Sequence, residues 1–339
     1  MAVRTNICIQ MKIGVIYEIT GNPYFGDTTV KYSTHVSEYV YPSEINDICQ
    51  ALTELGHTYE IIDGPLGLLQ HINNDQRCDL YFNKSIGFHG LERKIAVPAI
   101  ALIYGLPIIG SNAYTMTLAR HKYHTNRLLY GMGVNVPWAK CIYNINDLDQ
   151  LEYPFPVIVK PNEESDSLGI SELSVCHSKN EVYKITNYLL NTFKQPVVIE
   201  EFIDGEEWKF SVIGNGDNVH VYGGVNSLKN GTPMIGTLQT RDDILNNTLS
   251  YTDIPHNSKY KKACLLAESI HRLIGLKDYS RCDFRLRGDD IFCMEVSTHP
   301  FISNSEQYSS FVAAAKQELM DYKYIIDKII RVSHERNTF

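Results

Sequence analysis

The chain of 339 residues is long enough for two or three domains, and its 44% hydrophobic and 21% charged residues exclude an intrinsically disordered chain. Its net charge of −8 is scattered and lacks a basic block, which argues against nucleic acid as a partner. The longest apolar stretch, Ile95 to Gly110, is interrupted by Pro98 and Pro107 and is too short for a membrane helix of ~20 residues, so no membrane partner is expected. The N-terminal residues carry no secretory pattern, and the cysteines are dispersed with no C-x-x-C pair. A cytoplasmic protein with reduced, mostly buried thiols is the expectation.

In chain order, Lys12 to Tyr17 is a continuous apolar run of the kind that forms a buried parallel strand. A polar, turn-rich stretch from Gly21 to Pro42 follows. Ser43 is then expected to cap a helix whose apolar positions Ile45, Ile48, Leu52 and Leu55 stop at Gly56. A strand at Tyr59–Ile62 completes a βαβ unit, and Leu80–Asn83, Val97–Tyr104 and Leu106–Gly110 repeat it as strand, helix and strand. These elements predict an open α/β domain over 11–115. One helix is expected from Thr115 to Gly131. Strand-like runs then dominate at Phe155–Lys160, Ser171–Val175, Val197–Phe202, Lys209–Ile213 and Val219–Val225, with a helix at Lys179–Phe193. They predict an α+β central lobe over 116–215. A helix at Lys261–Ile274, two alternating strands and a closing helix after Ser309 predict a third lobe over 216–333, so the class is α/β with three lobes packed together.

Three segments carry chemistry. Ser280 to Thr298 reads as a hairpin turning at Gly288 to Asp290. Side chains alternate along a strand, so Arg281 and Asp283 share one face of the first strand, and Glu295 and Ser297 share one face of the second. If those faces coincide, Asp283 and Glu295 converge into an oxygen-rich site suited to Mg²⁺. A solvated hairpin face with an ordinary Arg–Asp pair is an equal alternative for this segment alone. Lys160 ends the strand Val157–Lys160 before a loop of small and acidic residues, where a lysine can hold a phosphate, although a solvated surface lysine is the commoner case. Val197 to Trp208 runs from a strand into an acidic turn, which taken alone is a strand end with solvated carboxylates. His121 and His124 lack a third partner for zinc. His89 reads as a structural histidine, whereas His299 adjoins the candidate site.

Taken together and in this order, the segments resemble the ATP-grasp superfamily, specifically enzymes similar to D-alanine–D-alanine ligase. The resemblance rests on the Val-Ile-Val-Lys-Pro strand, on Glu-Glu-Phe-Ile-x-Gly-x-Glu, on Arg-x-Asp with Glu-x-x-Thr, and on Gly105-Leu106-Pro107 before Gly110-Ser111. It implies an ATP-grasp fold with an N-terminal open α/β domain, a central α+β lobe and a C-terminal α+β lobe carrying the metal site. The implied activity is ATP-dependent ligation of an amino acid or related small carboxylate to an amine through an acyl phosphate, releasing ADP and phosphate. Lys122 and Lys160 would contact the ATP phosphates. Glu200, Glu201 and Ile203 would line the adenine slot, and Glu207 would hold the ribose. Asp283, Glu295 and Ser297 would bind Mg²⁺, with two ions bridged by Glu295 and Mn²⁺ as an alternative metal. Arg281 would stabilise the transferring phosphoryl group, while Ser167, His299 and Phe301 are the candidate substrate contacts. ATP and small molecules are the implied partners, and a homodimer is compatible with the resemblance.

The sequence departs from the family pattern at several places. Ser297 replaces an Asn, and His299, Pro300 and Phe301 stand where small residues ending in a Gly are usual. The loop after Lys160 carries Glu163, Glu164 and Asp166, which would repel a triphosphate unless turned outward or used to read a cationic substrate. No counterpart is found for an N-terminal glutamate or for a loop Lys-Tyr pair, with Arg241 a weak substitute. These departures argue against two D-alanines as substrates. They also leave a second function, a nucleotide-binding regulatory module that has lost catalysis.

Overall fold

Strand β1 (Lys12–Tyr17), buried from Ile13 onward, pairs in parallel with β2 (Thr58–Asp63) on one side and β3 (Leu80–Asn83) on the other. Beyond β3 lies the two-residue β4 (Ile108–Ile109), giving the sheet order β2-β1-β3-β4 expected of an open α/β unit. This computed structural model describes residues 10–20, 39–87, 90–149, 151–234, 243 and 246–338. Most of the turn-rich stretch after Gly21, together with His89 and Arg241, lies outside them. Helix α1 (Pro42–Glu54) begins one residue before the expected cap: Tyr41 holds that position, and Ser43 falls within the first turn behind Pro42. A proline there has the helical φ preset and lacks an N–H that would go unpaired, so no capping side chain is required. Helices α2 (Gly64–Asn73) and α3 (Ala96–Tyr104) complete the crossovers, and α3 ends at Gly105 with φ +63°.

The helix expected over 115–131 is two helices, α4 (Ala113–Arg120) and α5 (Lys122–Gly131), separated by His121 in an extended conformation. The break has a local cause. The Lys122 and Tyr123 N–H groups donate to the backbone and side-chain oxygens of Asn162, at 3.1 and 3.0 Å, so the first turn of α5 is satisfied from another element.

The second sheet is antiparallel, in the order β5 (Ala139–Ile142), β8 (Val197–Glu201), β6 (Val157–Pro161), β7 (Val175–Cys176). Helix α6 (Lys179–Phe193) packs Val182 and Leu189 against it. Most of the strand expected at 171–175 is a 3₁₀ turn, Glu172–Ser174, leading into β7.

The third sheet runs β11 (Thr232–Pro233), β10 (His220–Lys229), β9 (Glu207–Ile213), β13 (Tyr279–Arg287), β14 (Asp290–Ser297), with β12 (Leu249–Asp253) also on β10. Strand β9, which falls within the lobe expected over 116–215, pairs in this sheet with β10 and β13. Helix α7 (Ser258–Leu273) covers one face through Ala263, Ala267 and Ile270, packed with Phe210 and Phe284. The single closing helix expected after Ser309 is α8 (Ser310–Leu319) and α9 (Tyr322–Thr338), with Met320 at φ +53° between them. Ile325, Ile326, Ile329 and Ile330 of α9 return to the core of the first sheet with Ile13, Ile48 and Leu52, so the end of the chain stabilises its beginning. No helix among the described residues is long and apolar enough to cross a membrane.

Candidate active site

Three neighbouring strands of the third sheet carry the site in register. One row across β9, β13 and β14 is Ser211, Arg281, Ser297, and the next is Lys209, Asp283, Glu295. A bulge after Asp283 shifts β14, while Glu207 still faces Arg285 across β9 and β13. Strand alternation sends Phe210, Cys282, Phe284 and Val296 into the apolar core under α7. The polar residues between them face a cavity of about 660 Å³, bordered also by the first and second sheets' segments. That volume suits a small-molecule site.

The charges on this wall are tightly paired. Arg281 donates from Nε and Nη2 to the two oxygens of Asp283 at 2.6 and 2.8 Å. Lys209 Nζ lies 3.0 Å from Glu207 and 3.6 Å from Asp283, and Arg285 donates to Glu207 at 2.9 Å. Burial alone would raise the Glu207 pKa, but Lys209 and Arg285 outweigh it and hold the carboxyl at about 2. Burial likewise opposes charge on Lys209 and Arg281, and their carboxylate neighbours reverse it, so both pKa values are raised. Glu295 differs. Among the described residues its side chain forms no hydrogen bond or ion pair, although it lines the cavity directly opposite Asp283. A hard carboxylate with uncommitted oxygens beside a second carboxylate and the Ser297 hydroxyl is a donor set that fits Mg²⁺.

The other walls come from distant parts of the chain. Lys160, at the end of β6, lies 2.6 Å from the buried Glu200. The loop beyond it turns through Asp166 and Ser167, both at positive φ, and Ser165 accepts from Lys94 at 3.2 Å. From the first domain, Lys84 pairs with Glu44 at 2.8 Å and donates to the Pro300 carbonyl at 3.1 Å. His299 Nε2 sits 2.6 Å from the Asn83 carbonyl, which can only accept, so this nitrogen carries the proton. Burial, followed by the nearby Lys84 and Lys94, pushes the His299 pKa well down and keeps the ring neutral. Phe301 meets Tyr41 edge-on at 5.9 Å.

Comparison with known proteins agrees with this architecture. The profile of the family described as D-ala D-ala ligase C-terminus matches residues 143–331, more than half of the chain. The chain belongs to this family. Its relatives include Uncharacterized protein y4sG of Sinorhizobium fredii, 27% identical over 86% of this chain and 87% of that protein. The D-alanine--D-alanine ligase of Aquifex aeolicus is 26% identical over 84% of this chain and 92% of its own. The crystal structure of D-alanine--D-Alanine ligase from Bacillus anthracis complexed with ATP superposes with a TM-score of 0.72 at 19% identity, covering 97% of this chain and 99% of that one. The fold is therefore ATP-grasp, and family membership makes the chain an ATP-dependent ligase that forms a C–N bond.

Of the residues that the family resemblance singled out, Lys160, Ser167, Glu207, Arg281, Asp283, Glu295, Ser297, His299 and Phe301 line the cavity. Four do not. The Lys122 ammonium caps the Glu164 carbonyl and borders a separate small hollow that Glu295 also touches. Its pKa is lowered by burial, against the pull of Glu295. Glu200 is buried on Lys160. Glu201 pairs with Arg287 at 2.8 Å and donates its N–H to Trp138 O at 2.8 Å, while the Ile203 carbonyl accepts from Arg285 at 3.0 Å. These bonds engage the Glu201 N–H and the Ile203 carbonyl.

The acidic loop resolves in the same way. Glu163 faces His121 at 3.0 Å and Asn162 at 2.9 Å, and Glu164 accepts from Gln195 at 2.7 Å with Arg93 and Arg120 nearby. Only Asp166 of the three acids lines the cavity. Sequence reasoning missed Lys209, Arg285, Lys84 and Glu44. Strand alternation signals the first two, each two residues beyond a predicted site residue. Lys84 and Glu44 carry no local signal. Nor does Glu18, a buried carboxylate bonded to Ser85 and to the N–H groups of Ile86 and Gly87.

Proposed function

We propose that the chain joins an amino acid or related small carboxylate to an amine through an acyl phosphate, releasing ADP and phosphate. The observation that carries this reading is the Lys209–Asp283–Glu295 row beside Arg281, set on rigid strands in a cavity that Lys160 of the second sheet and Glu44 and Lys84 of the first domain also line. In the reaction, a carboxylate oxygen of the acid bonds to the γ-phosphorus of ATP as the bridging P–O bond breaks, and that electron pair leaves with ADP. The amine nitrogen then bonds to the acyl carbon and loses a proton, and the C–O bond breaks as phosphate departs. Asp283, Glu295 and Ser297 would hold Mg²⁺, which when bound supplies neutralisation of phosphate charge. Lys160 and Arg281 line the same cavity, where Lys160 would hold the nucleotide phosphates and Arg281 would meet charge on the transferring group.

The pairing of Phe301 with Tyr41 places aromatic bulk beside Pro300 and Ser303, which supports an acid–amine pair other than two D-alanines. Incubation with ATP, Mg²⁺ and pools of amino acids should release ADP only when both an acid and an amine are present. Release of AMP and pyrophosphate would replace this mechanism with an adenylating one. Absence of any nucleotide consumption across the pools would favour the regulatory alternative.

A further inference from the structure

A second group of metal-binding side chains lies in the first domain: Glu60 on β2, His71 in the last turn of α2, and Cys78 on the segment leading into β3. None of the three lines the active-site cavity. Backbone register brings them together, because Gly14 of β1 pairs with Glu60 on one side and with Tyr81 of β3 on the other, which puts both side chains on one face of the sheet. A Cβ at position 14 would lie 2.9 Å from the Tyr81 ring and from Ile62, so the glycine lets this row close up. Helix α2 packs Leu68 and Ile72 over the same face and carries His71 down with them. His71 Nδ1 is then 3.2 Å from Glu60 Oε1, while Nε2 is 3.2 Å from the Tyr81 hydroxyl and 4.0 Å from Cys78 Sγ. The Tyr81 hydroxyl also accepts the Cys78 N–H at 3.1 Å, and Lys12 holds Glu60 Oε2 at 2.5 Å.

One donor atom from each of Glu60, His71 and Cys78 lies within 4.8 Å of the other two. Ligands of a tetrahedral ion with bonds of ~2.0–2.3 Å stand roughly 3.5 Å apart, so side-chain movement of about an ångström closes the set. A carboxylate, an imidazole and a thiolate together suit a borderline-soft ion of the zinc class and not Mg²⁺, which takes oxygen ligands. His71 and Cys78 are buried, and the Glu60 side chain, 28% exposed, opens the group to solvent. The geometry points to a zinc-class metal site in the first domain, with Glu60, His71 and Cys78 as protein ligands and a water in the fourth position. Tyr81 and Lys12 are the groups that hold those ligands in place. Binding exchanges the Cys78 thiol proton for the ion, and Glu60 and the thiolate then match its two positive charges. The ion ties β2, α2 and the approach to β3 together, a role separate from ligation.

The test titrates Co²⁺, a spectroscopic substitute for Zn²⁺, into the full-length protein with its thiols reduced and Mg²⁺ in excess to fill the oxygen-lined cavity. A sulfur-to-cobalt charge-transfer band that saturates at one Co²⁺ per chain is expected, and Zn²⁺ should displace it. Cys78→Ser should abolish the band, and His71→Ala should weaken Zn²⁺ binding at least about a hundredfold in competition with a chromophoric chelator. Glu60→Gln, on the solvent side, decides the matter if those buried variants fail to fold, and should weaken Zn²⁺ binding at least about tenfold. A folded wild type without the band, or a band that Cys78→Ser leaves intact, would overturn the site. So would a Zn²⁺ affinity that Glu60→Gln leaves unchanged.

Discussion

Two acidic stretches of this chain meet opposite fates. Glu163 and Glu164, on the loop after β6, are turned into the protein, where His121, Asn162, Gln195, Arg93 and Arg120 surround them. Asp283 and Glu295, on β13 and β14, stand on the wall of the cavity. Side-chain type does not separate the pairs. Backbone does: a sheet fixes which face a residue takes, whereas a loop lets a carboxylate turn to whatever cation lies nearest. The loop acids Glu163 and Glu164 are therefore structural charges turned away from the cavity, while the strand acids line it.

The comparison is broken most severely at its functional end. Glu295→Gln should lower turnover by about a hundredfold to a thousandfold while leaving the melting temperature near that of the wild type, because among the described residues its carboxylate forms no hydrogen bond or ion pair. A large loss of stability would mean that Glu295 belongs with the structural acids. Glu164→Gln should do the reverse. Removing its charge leaves Arg93 and Arg120 buried with less compensation, at a cost of up to about 3 kcal/mol by urea unfolding, with affinity for an ATP analogue little changed.

A milder effect sharpens the contrast within the cavity. Ser297 shares a strand face with Glu295 but reaches less far than an amide would. Ser297→Asn should lower the Mg²⁺ concentration for half-maximal activity severalfold if the hydroxyl only fills in for a ligand, and should damage activity at every Mg²⁺ concentration if it contacts substrate. No change in either quantity would place the position outside the metal shell.

The smallest effect comes from the loop. Hydrogen bonding to Glu163 raises the His121 pKa above 6.5, against burial. The stability this pair contributes is fully present below pH 6.5 and fades as pH rises through the raised folded-state value. It should amount to less than about 1 kcal/mol. His121→Asn should flatten the stability profile above pH 6.5, and an unchanged profile would show that the pair is not titrating.

The same contrast explains what could be read in advance. The hairpin was legible because alternation and a Gly288 turn determine its register locally, and the direct pairing of Asp283 with Glu295 follows. The helix at 179–193 was legible to the residue, with Ser178 capping it and Phe193 ending it. What escaped was long-range. Nothing in 115–131 announces the break at His121, since its cause is Asn162 in another element. The assignment of β9 to the third sheet depends on its pairing with β13, and the burial of Glu164 depends on Arg93, Arg120 and Gln195. Lys122 was assigned to the phosphates by resemblance alone, and its ammonium donates to the carbonyl of Glu164, a contact that nothing local in the sequence signals.

The central claim is that the cavity above the Lys209–Asp283–Glu295 row activates a carboxylate by phosphorylating it. The direct measurement uses the acid that supports ADP release in the pooled assay, labelled with ¹⁸O in its carboxylate, together with ATP, Mg²⁺ and the amine. An acyl phosphate requires one carboxylate oxygen to leave with the phosphoryl group, so one ¹⁸O atom should appear in the inorganic phosphate for each amide formed. Label recovered in AMP, or phosphate free of label while amide accumulates, would contradict the account.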